Sequence, residues 1–310
     1  MPTKEDLVML QGLDLETKVL MSKARIRECI ARYGISDTFV SVSGGKDSTA
    51  LLHLVREVEP NIQGVFVDTG LEYPELKEHV QSLENVTVIR PKKSFRQVLS
   101  EYGYPVISKT IAHNIAIARH NPTGAVMNNV FKNSTNTLYN YKQYLPLVVA
   151  DLDFKISDQC CNVMKKAPAH KLHKTAFIGT MAVESQLRKS KWLKEGCNSF
   201  EKANPTSAPL SFWTESDVFE YIKTRNLKIP SVYGDIIESG GCFTCTGCRR
   251  TGCIFCGFGL QTEKGDYNRL KLLQNTHPQL HKYVLYDLGF KHVYDTINEI
   301  MKKEMFIYEN

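Results

Sequence analysis

The sequence predicts an α/β protein built on a doubly wound, mostly parallel sheet, with a cysteine-rich loop and a helical C-terminal segment. Three observations carry that expectation. A β-branched run over 37–42 stops at Gly44 and Gly45, and Ala50, Leu51, Leu54, Val55 and Val58 then recur at helical spacing. Two further apolar runs, 62–67 and 86–89, are each followed by a helical pattern, and strand, helix, strand in succession makes parallel units. Of 310 residues, 42% are hydrophobic and 23% charged, enough to bury a full core in one large domain or two unequal ones.

The elements follow in order. Residues 15–33 carry Val19, Leu20, Ile26, Cys29 and Ile30 among many basic residues, an amphipathic helix with Gly34 as its C-cap. Next come the strand over 37–42, a turn over 43–48 and the first crossover helix. The second strand ends in Asp68 and Thr69, and Ser94 caps a helix that runs to Tyr102. From 103 to 144 the periodicity weakens and Asn114, Asn121, Asn128, Asn129, Asn133, Asn136 and Asn140 accumulate, an insertion rather than sheet, extending to about residue 150. A short strand over 176–179 leads to a helix over 180–192 with Glu184, Ser185 and Arg188. Trp213 fills core, Thr214 caps a helix over 215–225 with Asp217 three residues on, and the tail over 268–308 is helical, broken near Pro278. These divide the chain into an N-terminal helical segment 1–36, a central domain 37–235, and a cysteine-rich and helical region 236–310.

The turn over 43–48 has the composition of a phosphate cradle. Gly44 and Gly45 let backbone approach an anion, Lys46 supplies a point charge, and Ser41, Ser43 and Ser48 supply hydroxyls, all at a helix N-terminus. It is not a Walker loop, because Val40 occupies the first glycine position of that motif. In an open parallel sheet ligands lie beyond the carboxyl ends of strands, which places Asp68 and Thr69 toward the same ligand; a capping aspartate is the alternative for Asp68. Asp47 and Asp68 are candidate ligands for Mg²⁺.

Nine cysteines in such a chain read as thiols of a reducing compartment. Cys160 and Cys161 are adjacent, and Cys242, Cys245, Cys248, Cys253 and Cys256 crowd into fifteen residues. Adjacent cysteines do not readily pair with each other, but each can offer a thiolate to iron. A zinc knot from Cys242, Cys245, Cys253 and Cys256 is the competing expectation, although its halves stand closer together than the roughly 15 to 20 residues of zinc ribbons. The formal net charge of +6 suits a nucleotide, allows a nucleic acid without indicating one, and no apolar run reaches the ~20 residues of a membrane span. Residues 1–6 carry both charge signs rather than a basic leader, so the expected location is the cytoplasm.

Ser-Gly-Gly-Lys-Asp-Ser over 43–48 resembles the pyrophosphate loop of the ATP pyrophosphatases, and residues 68–75 resemble the matching stretch of phosphoadenosine phosphosulfate (PAPS) and adenosine phosphosulfate (APS) reductases. Gly179, Glu184, Ser185 and Arg188 match the phosphosulfate-gripping stretch of those reductases, with Met181 in place of its first arginine. Pro209, Leu210 and Trp213 match a further segment. Cys160 and Cys161, followed by Lys165 and Pro168, resemble the first cysteine half of the APS reductases, with Met164 for its arginine, and Cys253 and Cys256 resemble the second.

The resemblance implies an adenine nucleotide alpha hydrolase-like fold, ATP or an adenylyl sulfate as ligand, and a 4Fe-4S cluster on Cys160, Cys161, Cys253 and Cys256. Residues 247–256 are also similar to the cysteine segment of DNA-phosphorothioation sulfurtransferases; in that version Cys248 is a ligand and one of Cys160 and Cys161 is not. Lys46, Asp47, Lys165 and Arg188 take the catalytic roles. The reductases also use a C-terminal cysteine as nucleophile, and here none follows Cys256, which leaves Cys242 or Cys245 as stand-ins. Three functions follow: ATP-dependent adenylation with sulfur transfer from a sulfur donor, reduction of APS or PAPS to sulfite with a thioredoxin-like electron donor, or a nucleotide or redox sensor without turnover.

Overall fold

The structure, a computed structural model, describes residues 2–135, 140–249, 251–263, 265 and 268–308. Asn136 and Arg250 lie outside the described residues. In chain order the strands are β1 Thr38–Val42, β2 Gly64–Val67, β3 Val86–Ile89, β4 Val106–Ile107, β5 Thr175–Phe177, β6 Asn198–Ser199, β7 Thr206–Ser207, β8 Ile236–Ser239, β9 Cys242–Cys245 and β10 Gly257–Phe258. The chain forms two compact units. The first takes Met1–Asp68, Glu72–Arg90 and Pro168–Thr251; the second takes Thr69–Leu71, Pro91–Ala167 and Gly252–Asn310.

The first unit holds a six-stranded sheet in the order β3-β2-β1-β5-β7-β6, parallel throughout except where β6 meets β7. This is the doubly wound, mostly parallel α/β sheet that the alternation of strand and helix predicts. β1 lies central, with Val40 opposite Gly64 on one side and Phe177 on the other. Val40, Val42, Leu51, Leu54, Val55, Phe66 and Phe177 are fully buried in one cluster, as the near-continuous apolar character of such strands requires.

The helix Leu15–Tyr33 starts at Asp14, which accepts from the Thr17 amide at 2.9 Å, and ends at Gly34 with φ +81°. It buries Val19, Ile26 and Cys29, but Leu20, expected on the same face, is exposed. Trp213 is fully buried and donates from Nε1 to Ser22 Oγ at 3.0 Å, while Ser22 donates to the Pro209 carbonyl at 2.9 Å. Thr214 and Asp217 form the expected capping box. Asp217 Oδ2 accepts both the Thr214 amide, at 2.6 Å, and the buried Lys18 ammonium, at 2.7 Å. The helix expected over 180–192 begins later. A short 3-10 turn Ala182–Glu184 comes first, and the Ser185 hydroxyl then accepts from the Arg188 amide at 3.2 Å, which starts the helix at Gln186.

The second unit is mostly helical, with an aromatic core in which Phe290 lies 5.1 Å from Tyr104 and 6.4 Å from Phe95, and Tyr294 stacks on Phe306 at 4.4 Å. Its strands are two residues long: β4 pairs in parallel with β10, Val106 opposite Gly257 and Ile107 opposite Phe258. Ile107 is fully buried at φ +67°, a left-handed conformation that a β-branched side chain rarely adopts. The insertion carries a twelve-residue helix, Lys109–His120, capped by Ser108; its buried stripe of Ala112, Ile115 and Ala118 is too small and narrow to show among the asparagines. The tail breaks at Pro278 as expected and again at Gly289, where φ is +75°.

Candidate functional site

In the first unit the turn after β1 is built as a cradle. Gly44 has φ +78°, and a Cβ there would lie 2.7 Å from the Leu76 carbonyl oxygen, so only glycine fits. Ser48 Oγ donates to the Gly45 carbonyl at 2.9 Å, accepts from the Ser43 amide at 3.1 Å and meets Ser43 Oγ at 3.0 Å. Gly45 is the N-cap of the helix Lys46–Arg56 and brings no capping side chain, so the first helical amides face outward from the turn. Gly179 closes another side: a Cβ there would lie 3.0 Å from the Asp47 carbonyl oxygen.

The predicted residues differ in where they sit. Ser43, Gly44, Gly45, Asp47 and Ser48 come together in the turn, whereas Ser41 stays in the β1 ladder opposite Val65. The Lys46 ammonium is buried against two carboxylates, 2.9 Å from Asp47 and 3.5 Å from Glu215, with the Phe219 ring centroid 5.3 Å away. Asp68 caps no helix: the next helix, Pro74–Gln81, has Tyr73 at its N-cap. Its buried carboxylate instead receives Lys77 at 3.0 Å and Arg90 at 3.3 Å. Thr69 belongs to the second unit, where its hydroxyl accepts from the Leu71 amide at 3.2 Å. Met181 is buried, its amide donating to Glu184 at 2.9 Å, and Glu184 also pairs with Arg188 one turn on.

Two groups at the cradle were not legible in the sequence. Tyr233, 2% exposed, takes the Lys46 amide on its hydroxyl at 3.0 Å, and that hydroxyl lies 2.7 Å from Thr251 Oγ1. Both are roughly two hundred residues along the chain from the turn; Tyr233 belongs to no recognisable motif, and Thr251 lies in the segment 247–256, whose signal concerned its cysteines. The hairpin β8–β9, also in the first unit, carries Cys242 exposed and Cys245 buried, and Cys248 just beyond it is buried.

In the second unit the thiols of Cys160, Cys161, Cys253 and Cys256 are electrostatic neighbours. The hydrogen bond to Cys161, then burial, then the charges of Cys161, Cys256 and Cys253 push the Cys160 thiol up, and burial pushes the Cys256 thiol up. Cys161 is held well below the ordinary thiol range, first by the hydrogen bond from Cys160 and then, against its burial, by the ammonium groups of Lys109 and Lys165. Arg269 adds a further positive charge beside Cys256. Four thiols from two chain segments, with three cations around them, suit an anionic iron–sulfur cluster, whose ligands bind separate irons and need not converge on one point. Among the described residues no three His, Cys, Asp or Glu side chains gather around a single ion position. Of the alternative zinc set, Cys242 and Cys245 belong to the first unit and Cys253 and Cys256 to the second, and Cys248 also belongs to the first. Lys109 and Arg269 had no signal in the sequence, since neither lies near a cysteine along the chain.

Comparison with known proteins bears on the family of the chain. A phosphoadenosine phosphosulfate reductase domain model matches residues 37–127 and 106–248. An adenosine 5'-phosphosulfate reductase of Mesorhizobium japonicum is 25% identical over 225 residues, 71% of this chain and 71% of that one. The enzyme of the same name from Staphylococcus haemolyticus is 25% identical over 219 residues, 69% of this chain and 72% of that one. Among solved structures, the phosphoadenylyl-sulfate reductase of Candida auris in its phosphate complex aligns with a TM-score of 0.41 at 12% identity, over 74% of this chain and 91% of that one.

Proposed function

Since the chain belongs to the phosphoadenosine phosphosulfate reductase family, we propose that it is an enzyme that binds ATP at the turn over 43–48 and uses it to adenylate an acceptor for sulfur transfer. The observation that carries the choice of ATP is Met181. Where the resemblance places an arginine for the phosphosulfate end, this chain buries a methionine just before a 3-10 turn, and the remaining Arg188 is paired with Glu184. An adenylyl sulfate therefore loses its expected partners, while a triphosphate needs only the cradle. An acceptor oxygen attacks the α-phosphorus, the α–β anhydride bond breaks and pyrophosphate leaves; a sulfur nucleophile then displaces AMP from the activated acceptor.

The chain's own groups have definite parts in this reading. The Asp47 and Ser48 amides and the Ser43 hydroxyl hold phosphate oxygens, while Ser48 Oγ, whose proton goes to the Gly45 carbonyl, braces the turn. Lys46, tied to Asp47 and Glu215, contributes to the field that stabilises the leaving pyrophosphate, and Asp47 would hold Mg²⁺, which when bound would supply further neutralising charge. Asp68 is the weaker candidate for that ion, because Lys77 and Arg90 already neutralise it. Cys160, Cys161, Cys253 and Cys256 hold a 4Fe-4S cluster, which when bound supplies sulfur or electron-transfer chemistry. Lys165 balances its charge. Reduction of an adenylyl sulfate is the second reading, favoured by the names of the relatives. Anaerobic protein is expected to release pyrophosphate from ATP in the presence of a sulfur donor and acceptor. Sulfite released from APS or PAPS, with ATP left intact, selects the second reading instead.

A further inference from the structure

We propose that Tyr233 and Thr251 form a wall of the phosphate cradle and donate a hydrogen bond to a phosphate oxygen of the bound nucleotide. The argument rests on the reading of 43–48 as the nucleotide loop, and begins with the position of the two hydroxyls. A Cβ built on Gly45 would lie 3.0 Å from Tyr233 Oη, 3.1 Å from Thr251 Oγ1 and 3.5 Å from Ser43 Oγ. Three hydroxyls, one from the turn itself and two from residues roughly two hundred positions along the chain, thus surround Gly45, where the turn carries no side chain.

Their protons can be counted. The Tyr233 oxygen accepts the Lys46 N–H, which uses one of its lone pairs. Tyr233 and Thr251 have one hydroxyl proton each, and the 2.7 Å contact between them consumes one. Whichever of the two donates, the pair retains one proton, and no acceptor for it stands among the described residues. Both oxygens line the space beside Gly45, so that proton is available there to a charged phosphate oxygen, the strongest class of acceptor.

The phenol is held in place by backbone rather than by the turn it touches. The Gly247 amide donates to the Tyr233 carbonyl at 2.8 Å and the Cys248 amide to the Val232 carbonyl at 2.8 Å. A Cβ on Gly247 would come within 2.4 Å of the Val232 oxygen, so this strap depends on glycine. A wall supported in this way keeps its geometry when a ligand enters, which is what a preorganised donor requires.

Tyr233→Phe and Thr251→Val each remove a hydroxyl and keep the packing volume, and Thr251→Ser restores one. Calorimetry with ATP, inorganic pyrophosphate and adenosine reads the effect. Because each single deletion releases the proton of the remaining hydroxyl, the double variant Tyr233→Phe/Thr251→Val is expected to weaken ATP and pyrophosphate by about tenfold to a hundredfold and leave adenosine unchanged, with the single variants weakened less and Thr251→Ser close to the parent. Parent-like ATP and pyrophosphate affinity in the double variant overturns the proposal and leaves the loop reading standing. Equal weakening of ATP and adenosine also overturns it, because that is loss of structure and not of a phosphate contact. Failure of the unaltered protein to bind either ATP or pyrophosphate removes the loop reading itself, and the proposal with it.

Discussion

The turn after β1 and the cysteine quartet are both candidate reactive centres, yet they are constructed in opposite ways. The turn uses consecutive residues, its hydroxyls and amides bond mainly to one another, and the strand behind it lies in the middle of a six-stranded sheet. The quartet uses two segments far apart in the chain, held by two-residue strands, a π-helical turn over Asn162–Lys166 and a strained Ile107. The first site holds its shape through its own hydrogen bonds before any ligand arrives. In the second, the Cys160 and Cys256 thiols are pushed up, and under the proposed function a cluster bound there would carry part of the stability of the second unit.

The largest effect is expected from the cysteines. Anaerobic protein should be brown with about four irons per chain, and Cys253→Ser or Cys256→Ser should lose the colour and expose the second unit to protease while the first unit stays resistant. Stoichiometric zinc in place of iron breaks this side of the comparison. Gly45→Val sharpens the other side: its side chain meets Tyr233 and Thr251, and ATP binding should become undetectable by calorimetry with iron content unchanged. Bound ATP in that variant would show the turn to be only a turn. Lys18→Met strands the Asp217 carboxylate in the first unit and should cost about 3 to 5 kcal/mol there by chemical denaturation. A loss of iron from this variant would show that the two units do not stand independently.

The smallest effect concerns acid. His281 in the second unit is buried, its Nε2 meets no partner among the described residues, and burial holds it below the ordinary imidazole range. Below about pH 6.5 the unfolded chain binds a proton that the folded chain refuses, so this contribution is complete above that pH and is lost as the pH falls through the folded value. His281→Leu should flatten the acid limb of the second unit's melting temperature between pH 7 and 5. An unchanged limb places the sensitivity elsewhere.

Much of the first unit is legible in the sequence because its signals are local. The β-branched run of β1, the capping box at Thr214 and the C-cap at Gly34 each concern neighbours within a turn, and the strands and helices they mark are present. The doubly wound sheet follows from their alternation. Partners across the chain are not legible in this way. Nothing in Lys46 announces that its charge goes to Glu215, and nothing in Asp68 announces Lys77 and Arg90. The late start of the helix at Gln186 turns on whether Ser185 caps or continues, a choice settled by the buried Met181 before it. In the second unit the helix Lys109–His120 escaped because Ala112 and Ala118 bury too little surface to mark a face.

The division of the chain into interleaved segments has a consequence for its synthesis. The first unit needs residues from three segments, of which the last ends at Thr251, and the buried pair of Lys18 and Asp217 ties its beginning to that last segment. As the polypeptide leaves the ribosome, the sheet therefore cannot close until strands β5 to β7 have emerged, but it can close before the final segment, Gly252–Asn310, is made. Cys160 and Cys161 are then already outside and wait for Cys253 and Cys256. The sheet can thus be in place before Cys253 and Cys256 join Cys160 and Cys161 in the second unit.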